Sequence, residues 1–212
     1  MKNAAKYASV LKALAKKLSK ASAPDDLLGG QAEESRPLRA IVLGVLRRDA
    51  DEAAAVAAIE AIEAEYVDFN DLRAGTDLEL VDLLTPHFGE EEAAARSTLI
   101  RGVLSNIFDV EGRLTLDRIA ALGRRELRPA LRKAVVGGTG DPSIPLAFVE
   151  AHAALLAFDF GTLPIDERTL ALLLKHKAVD DDVDALEAAK FCEQNLKVED
   201  CRAIFAAARE GA

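Results

Sequence analysis

Hydrophobic residues recur at helical spacing along much of this chain of 212 residues. The segment KYASVLKALAKKL places its apolar residues on one stripe and its lysines around it, which predicts an amphipathic helix. The segment PLRAIVLGVLRR is apolar almost all round, with Pro37 where a first helical turn accepts proline. Such a helix belongs in the middle of a bundle. Since no convincing strand or internal repeat is present, we predict an all-α fold of about ten helices joined by short loops.

Composition agrees with a helical, globular protein. Half of the residues are hydrophobic and tryptophan is absent, which favours helices over sheets. The two cysteines, Cys192 and Cys201, provide neither a disulfide framework nor a zinc motif and favour a reducing compartment. No apolar run reaches membrane-spanning length, and no secretory signal pattern opens the chain. We therefore expect a cytoplasmic monomer without a membrane association, a metal ion or a cofactor.

Charge is unevenly distributed along the chain. The formal net charge is −9, yet the first twenty residues hold six lysines and no acid, so the remainder has 21 basic against 36 acidic residues, or −15. A body this acidic repels a phosphate backbone unless its basic residues gather on one face. One interpretation of the lysine-rich helix is an arm that binds nucleic acid or an anionic membrane. The other is a helix docked on the body with its lysines in solvent, and this second interpretation is favoured. Within the body, the candidate DNA-binding residues are Arg124, Arg125, Arg128, Arg132 and Lys133.

Four segments occur in an order that resembles a known family. They are SRPLRAIVLGVLRRDAD, GRLTLDRIAAL, FGTLPIDERTLALL and LKVEDCRAIF. Their order and spacings resemble those of the helix-hairpin-helix DNA glycosylases of the endonuclease III type. In that family the four corresponding parts are, in order, the second helix, the segment before the hairpin, the turn and segment that carry the invariant aspartate, and a helix near the C-terminus. The resemblance runs from about Ser35 to about Glu210.

The resemblance implies a two-lobed all-α fold with an active-site cleft between the lobes. A six-helix barrel is inserted between N- and C-terminal helices that pack together. On this basis residues 1–34 form an N-terminal helix and loop packing on the C-terminal lobe. Residues 35–142 form the barrel-like lobe, and residues 143–212 form a degenerate hairpin and the C-terminal lobe.

Departures from the family pattern fall at its functional positions. Its hairpin reads Leu-Pro-Gly-Val-Gly-Arg-Lys-Thr-Ala, whereas IPLAFVEAH stands here, with Leu146 and Phe148 at the two glycines. Those glycines let backbone N–H groups approach a DNA phosphate. Glu150 stands where bifunctional members have a nucleophilic lysine, and because a carboxylate cannot form a Schiff base, lyase activity should be absent. Lys133 remains only a weak alternative nucleophile.

Two further family features are missing. The four-cysteine iron–sulfur motif has no counterpart, so the resemblance predicts a protein without that cluster. Asp49 stands about where endonuclease III-type proteins have a glutamine that fills the gap left by a flipped base. An acid is a poor wedge inside a polyanion, and we interpret Asp49 with Glu52 as a capping box.

Two carboxylates remain as candidate catalytic residues. Asp166 matches the family aspartate, which activates water or stabilises the cationic sugar, and monofunctional members manage with it and no lysine. It can equally be the N-cap of the helix it opens, and the two roles are compatible. Glu150 could pair with Asp166 for general acid–base chemistry on a glycosidic bond. The favoured alternative is a polar residue at the edge of an apolar helix, paired with an arginine or facing water.

Three hypotheses about function follow. The first is a degenerate glycosylase homologue that no longer excises bases and binds a protein partner or, weakly, duplex DNA. The second is a monofunctional DNA glycosylase of unusual substrate that uses Asp166, with or without Glu150. The third is an unrelated helical scaffold that matches the pattern by chance. The charge, the missing glycines, the missing lysine and the missing wedge all favour the first.

Overall fold

Every regular element of the protein is a helix in the part of the chain that the structure, a computed structural model, describes. That part comprises residues 4–19, 28, 35–137 and 144–211. Within it, twelve helices follow one another: α1 (Ala4–Leu18), α2 (Arg36–Arg47), α3 (Glu52–Glu65), α4 (Phe69–Ala74), α5 (Asp77–Phe88), α6 (Glu90–Glu111), α7 (Asp117–Ala120), α8 (Arg124–Val136), α9 (Ile144–Ala157), α10 (Glu167–Lys175), α11 (Ala185–Asn195) and α12 (Val198–Arg209). The all-α prediction is confirmed. The count exceeds the roughly ten helices predicted from the pattern partly because α7 is a separate helix of four residues.

The chain divides into two compact units. The first unit comprises Met1–Gly30 and Ala151–Ala212, and the second comprises Gln31–Glu150. The division falls within α9. Residues 34, 142 and 143 of the predicted three-part division lie outside the described residues, and that division stays a prediction.

Helix α2 forms the centre of the second unit. Every residue from Leu38 to Arg47 is buried, as a helix apolar on all sides requires, and α2 packs against α3 and α6. Helix α6 also packs against α4, α5 and α8. Its Arg96 donates to the carbonyl oxygens of Val45 (2.5 Å) and Arg48 (3.0 Å). These bonds satisfy carbonyls that the end of α2 leaves without helical partners.

The turn between α2 and α3 differs from the prediction at one residue. Helix α3 begins at Glu52, and its N-cap is Asp51, whose side chain accepts a hydrogen bond from the Ala53 N–H (2.9 Å). Asp49 lies in the turn itself, with a φ of 54°, and its carboxylate pairs with Arg48 (2.9 Å). The predicted capping box of Asp49 with Glu52 is therefore wrong. Asp49 adopts a left-handed conformation, which aspartate tolerates better than most residues.

In the first unit, α1 packs against α11 and α12. It buries Leu11, Leu14 and Ala15, the residues on its apolar stripe. Lys6, Lys12, Lys16 and Lys17 are exposed. The arrangement is that of an amphipathic helix docked on its unit. None of the helices in the described ranges is both long enough and apolar enough to cross a bilayer.

Candidate functional site

Asp166 lies at the start of α10 and caps it. The preceding residues contain Pro164, which disfavours a helical conformation for the residue before it, and α10 begins at Glu167. The Asp166 Oδ1 atom accepts hydrogen bonds from the Thr169 backbone N–H (2.9 Å) and the Thr169 hydroxyl (2.8 Å). The predicted N-cap role of Asp166 is confirmed.

Asp166 also forms a buried ion pair that the sequence did not indicate. The Arg209 Nη2 atom lies 2.6 Å from each Asp166 carboxylate oxygen, and the side chains of Arg209 and Asp166 are 2% and 0% exposed respectively. Arg209 comes from the last turn of α12, which packs against α10. Its guanidinium carbon lies 5.1 Å from the centroid of the Phe205 ring, which in turn meets the His152 ring edge-on at 5.4 Å.

These contacts decide the charge state of Asp166. Burial alone would raise the pKa of its carboxyl group, but the charge and hydrogen bonds of Arg209 and the two bonds from Thr169 together outweigh burial. The pKa of Asp166 is therefore held below its usual value. A general base that works near neutral pH needs a pKa shifted in the opposite direction. Asp166 is a charged, buried carboxylate whose oxygens accept bonds from the protein itself.

Glu150 is the corresponding carboxylate of the second unit. Its side chain is 1% exposed, and Oε1 accepts a hydrogen bond from the Arg128 Nε atom at 2.9 Å. The Arg132 Nη2 atom lies 3.7 Å from Oε2. Arg128 and Arg132 are four residues apart on α8 and so share one face of that helix. The interpretation of Glu150 as a residue paired with an arginine is confirmed.

The basic cluster of α8 is consequently divided. Arg128 and Arg132 are directed to Glu150, with exposed fractions of 22% and 51%. The other three candidate DNA-binding residues, Arg124, Arg125 and Lys133, are exposed. Their role in DNA binding stays a prediction.

The two candidate carboxylates lie in different units. Each has a guanidinium partner within its own unit, Arg209 for Asp166 and Arg128 for Glu150. Their proposed pairing for acid–base chemistry stays a prediction. Sequence reasoning missed Arg209, although one signal was present: it continues the run AIFAAAR at a position where α12 is otherwise apolar.

The hairpin positions are helical in the structure. Leu146 and Phe148, which the resemblance sets at the family's glycines, both lie in α9, and Phe148 is 2% exposed. Phe148 therefore contributes to packing, and its placement at a family glycine stays a prediction.

The cysteines are buried and chemically quiet. Burial raises the pKa of the Cys192 thiol to about 12, and it also raises the pKa of Cys201. A thiol with so high a pKa is a poor nucleophile and a poor metal ligand at neutral pH. Over the described ranges, no group of three or more histidine, cysteine, aspartate or glutamate side chains could hold a metal ion.

Comparison with solved structures identifies the fold. The chain is similar to endonuclease III in the structure of a trapped endonuclease III–DNA covalent intermediate, an estranged-adenine complex, with a TM-score of 0.64 and 15% sequence identity. The match covers 99% of this chain and 85% of that chain. No protein-family model and no curated protein matches the sequence. The protein thus has the all-helical fold of endonuclease III, and at this level of identity the likeness is one of fold.

Proposed function

We propose that this protein is an endonuclease III-like DNA glycosylase homologue that has lost base excision and AP-lyase activity and acts through binding. The observation that carries the proposal is the state of Asp166. A carboxylate that activates water or stabilises a sugar cation must reach the reacting atoms. Asp166 is instead 6% exposed and accepts hydrogen bonds from Arg209 and Thr169 through both of its oxygens.

Glu150 supports the same proposal independently. A strand-cleaving glycosylase needs an amine that forms a Schiff base, and a carboxylate cannot take its place. Glu150 is tied to Arg128 by an ion pair, so the position has acquired a structural partner of its own.

DNA binding in this proposal is weak and electrostatic. The body outside the first twenty residues carries −15, and the ion pair of Arg128 with Glu150 withdraws one cation from the α8 cluster. Phosphate contacts would come from the exposed lysines of α1 and from Arg124, Arg125 and Lys133. Alternatively, the acidic surface serves a protein partner.

The first experiment tests catalysis on damaged DNA. Duplexes carrying an abasic site are incubated with the protein and borohydride, and duplexes carrying damaged bases are assayed for base release. We expect no trapped adduct and no release. A trapped adduct that disappears in Lys133→Ala would overturn the placement of the hairpin and the lyase-negative proposal together.

A second candidate, a monofunctional glycosylase using Asp166, is favoured by one observation. The lowered pKa of Asp166 keeps it ionised at neutral pH, as the stabilisation of a sugar cation requires. Base release that disappears in Asp166→Asn, under conditions where circular dichroism shows the variant still folded, would establish this candidate. The matched control is Asp184→Asn, which alters the N-cap of α11 in the same unit and should leave any release unchanged.

The second experiment measures how duplex binding depends on salt. Because α1 buries Leu11 and Leu14, its deletion would expose apolar surface, whereas exchanging its exposed lysines for glutamine leaves the stripe intact. For every phosphate that the protein no longer neutralises, the slope of log K against log salt should become shallower by about one unit. Sub-micromolar binding at physiological salt that ignores these exchanges would contradict weak electrostatic binding.

A further inference from the structure

The corner between α3 and α4 contains a small pocket within the second unit. Its volume is about 190 Å³, and its apolar wall includes Ile62 and Phe69, which are 1% and 9% exposed. Its polar wall includes Glu63, Tyr66 and Asp68. We call it the Tyr66 pocket. Drug-sized ligands occupy sites of roughly 300 Å³ or more, so this volume suits a single side chain or a dipeptide.

The charges around the Tyr66 pocket favour a cation. Glu63 is already matched by Arg39, whose Nε atom lies 2.6 Å from Oε1. Asp68 caps α4 through Oδ1 alone, which accepts from the backbone N–H groups of Asn70 and Asp71 at 2.8 Å each. Its Oδ2 atom has no hydrogen-bond partner among the described residues. A full negative charge with an open acceptor therefore stands on the pocket wall.

Two further features add to this negative potential. The pocket adjoins the C-terminal end of α3, where the helix dipole places partial negative charge. The pKa of Tyr66 is raised by burial and then by Glu79 and Glu65, with the smallest contribution from Asp71, against an opposing effect of Arg101. The first turn of α2 also borders the pocket through Ser35, and its partial positive charge is smaller than the full charge of Asp68.

An exposed apolar residue marks the mouth of the pocket. Val67 lines it and is 93% exposed, the highest value among the large hydrophobic residues exposed in the described ranges. Its backbone N–H is bonded to the Asp71 carboxylate (3.2 Å), which holds this segment against α4. A single exposed valine is common on protein surfaces, but this one lies at the pocket, where it can contact the residue next to a bound side chain.

We propose that the Tyr66 pocket binds the arginine side chain of a partner polypeptide, with an apolar residue of the same segment covering Val67. Arginine suits the pocket better than lysine because its planar guanidinium can stack on the Tyr66 ring while donating to Asp68. Its methylene groups would contact Ile62 and Phe69. A nucleic acid backbone is excluded as the occupant because Asp68 would face phosphate. The inference is independent of the proposed loss of catalysis.

The test is a titration followed by the backbone amide resonances of the intact protein. The probe is N-acetyl-arginine amide, and its uncharged isostere N-acetyl-citrulline amide is the ligand control, at constant ionic strength. We expect millimolar binding of the arginine probe with shifts centred on residues 62–69, and at least fivefold weaker binding of the citrulline probe. Equal shifts from both probes, or shifts centred elsewhere, would overturn the proposal.

Variants locate the charge that binds the probe. Asp68→Asn keeps an N-cap acceptor for α4 but removes the negative charge, and should weaken the arginine probe about fivefold, the upper end for an exposed ion pair. Asp51→Asn makes the same exchange at the N-cap of α3 and should change nothing. Unaltered binding in Asp68→Asn would remove the basis of the proposal.

A dipeptide comparison tests the role of Val67. Acetyl-arginyl-leucine amide should bind more tightly than acetyl-arginyl-glycine amide, and Val67→Ser should abolish that difference without weakening the glycine form. If residues 62–69 instead shift with protein concentration when no probe is added, the occupant is a second copy of this chain and the partner-peptide proposal fails. A failure of any of these tests leaves the arguments about Asp166 and Glu150 untouched.

Discussion

Replacing Asp166 by asparagine separates the two things this residue does. Asparagine caps a helix about as well as aspartate, so the bond from the Thr169 N–H (2.9 Å in the native protein) can persist. The substitution removes the charge opposite Arg209, whose side chain is 2% exposed. A buried cation deprived of its carboxylate costs about 3–5 kcal/mol, whereas loss of a cap alone costs about 1 kcal/mol. We therefore expect Asp166→Asn to lower the free energy of unfolding by about 3 kcal/mol or more.

The assay is urea unfolding at neutral pH, with Asp184→Asn as the control. Asp184 is also an N-cap aspartate of the first unit, accepting from the Glu187 N–H at 2.8 Å, but it is exposed. Its exchange should change the free energy of unfolding by less than about 0.5 kcal/mol. A large loss in Asp166→Asn beside a negligible one in Asp184→Asn would identify the buried ion pair, and not the cap, as the main contribution.

The pH dependence gives an independent check of sign. The folded-state pKa of Asp166 lies below its ordinary value, so its ionised form stabilises the fold above the unfolded-state pKa of about 3.9. That contribution is lost as the pH falls through the folded-state pKa. The stability gap between the native protein and Asp166→Asn should therefore be constant near neutrality and narrow below about pH 4.

One result would refute this reasoning. If Asp166→Asn raises the free energy of unfolding, the native carboxylate destabilises the fold, as catalytic acids commonly do. Should the same variant also lose measurable base release from damaged DNA, the proposal of a non-catalytic homologue would be wrong. A double-mutant cycle with Arg209→Met measures the pair itself, and we expect the double variant to lose less stability than the sum of the single variants.

Three further outcomes are expected. Glu150→Gln should lower the free energy of unfolding in urea by about 2 kcal/mol because it removes a charged hydrogen bond from a buried site. Arg132→Gln, at the half-exposed end of the cluster, should lower it by less than about 1 kcal/mol. Equal losses would contradict the assignment of Arg128 as the main partner of Glu150. Cys192, with a pKa raised to about 12, should react with a disulfide reagent at pH 8 only as fast as the protein opens, and rapid reaction of the folded protein would show that the thiol is accessible. Lys177 lies just after α10 with a φ of 53°, a left-handed conformation that glycine adopts without strain. Lys177→Gly should therefore raise the free energy of unfolding by up to about 1 kcal/mol. A loss of stability would show that the lysine side chain stabilises the fold by more than the strain costs.

The helices could be predicted because their signals are local. The apolar pattern of α2 and the Asp166 cap depend on residues a few positions apart, and both match the structure. The start of α3 could not be predicted in the same way, because Asp49 and Asp51 are both suitable N-cap residues by type. In the structure Asp49 lies in a left-handed turn and Asp51 is the N-cap.

Tertiary partners left weaker traces in the sequence. Asp166 and Arg209 are 43 positions apart, and only the packing of α10 on α12 brings them together. The five basic residues of α8 were predicted as one cluster because spacing along a helix says which residues share a face, not what that face meets. In the structure, the face that carries Arg128 and Arg132 contacts Glu150.

The arginines of α8 restrict which side chains position 150 can hold. A lysine there would place a third cation beside Arg128 and Arg132, at a site where the native side chain is 1% exposed. The favourable buried pair would become a like-charge contact, so Glu150→Lys alone should destabilise the second unit more than Glu150→Gln does. Placing a lysine there without this penalty requires changing both arginines as well. Three coordinated changes are therefore needed before α8 accommodates a buried lysine at position 150, so a single substitution would not reverse the proposed absence of lyase activity.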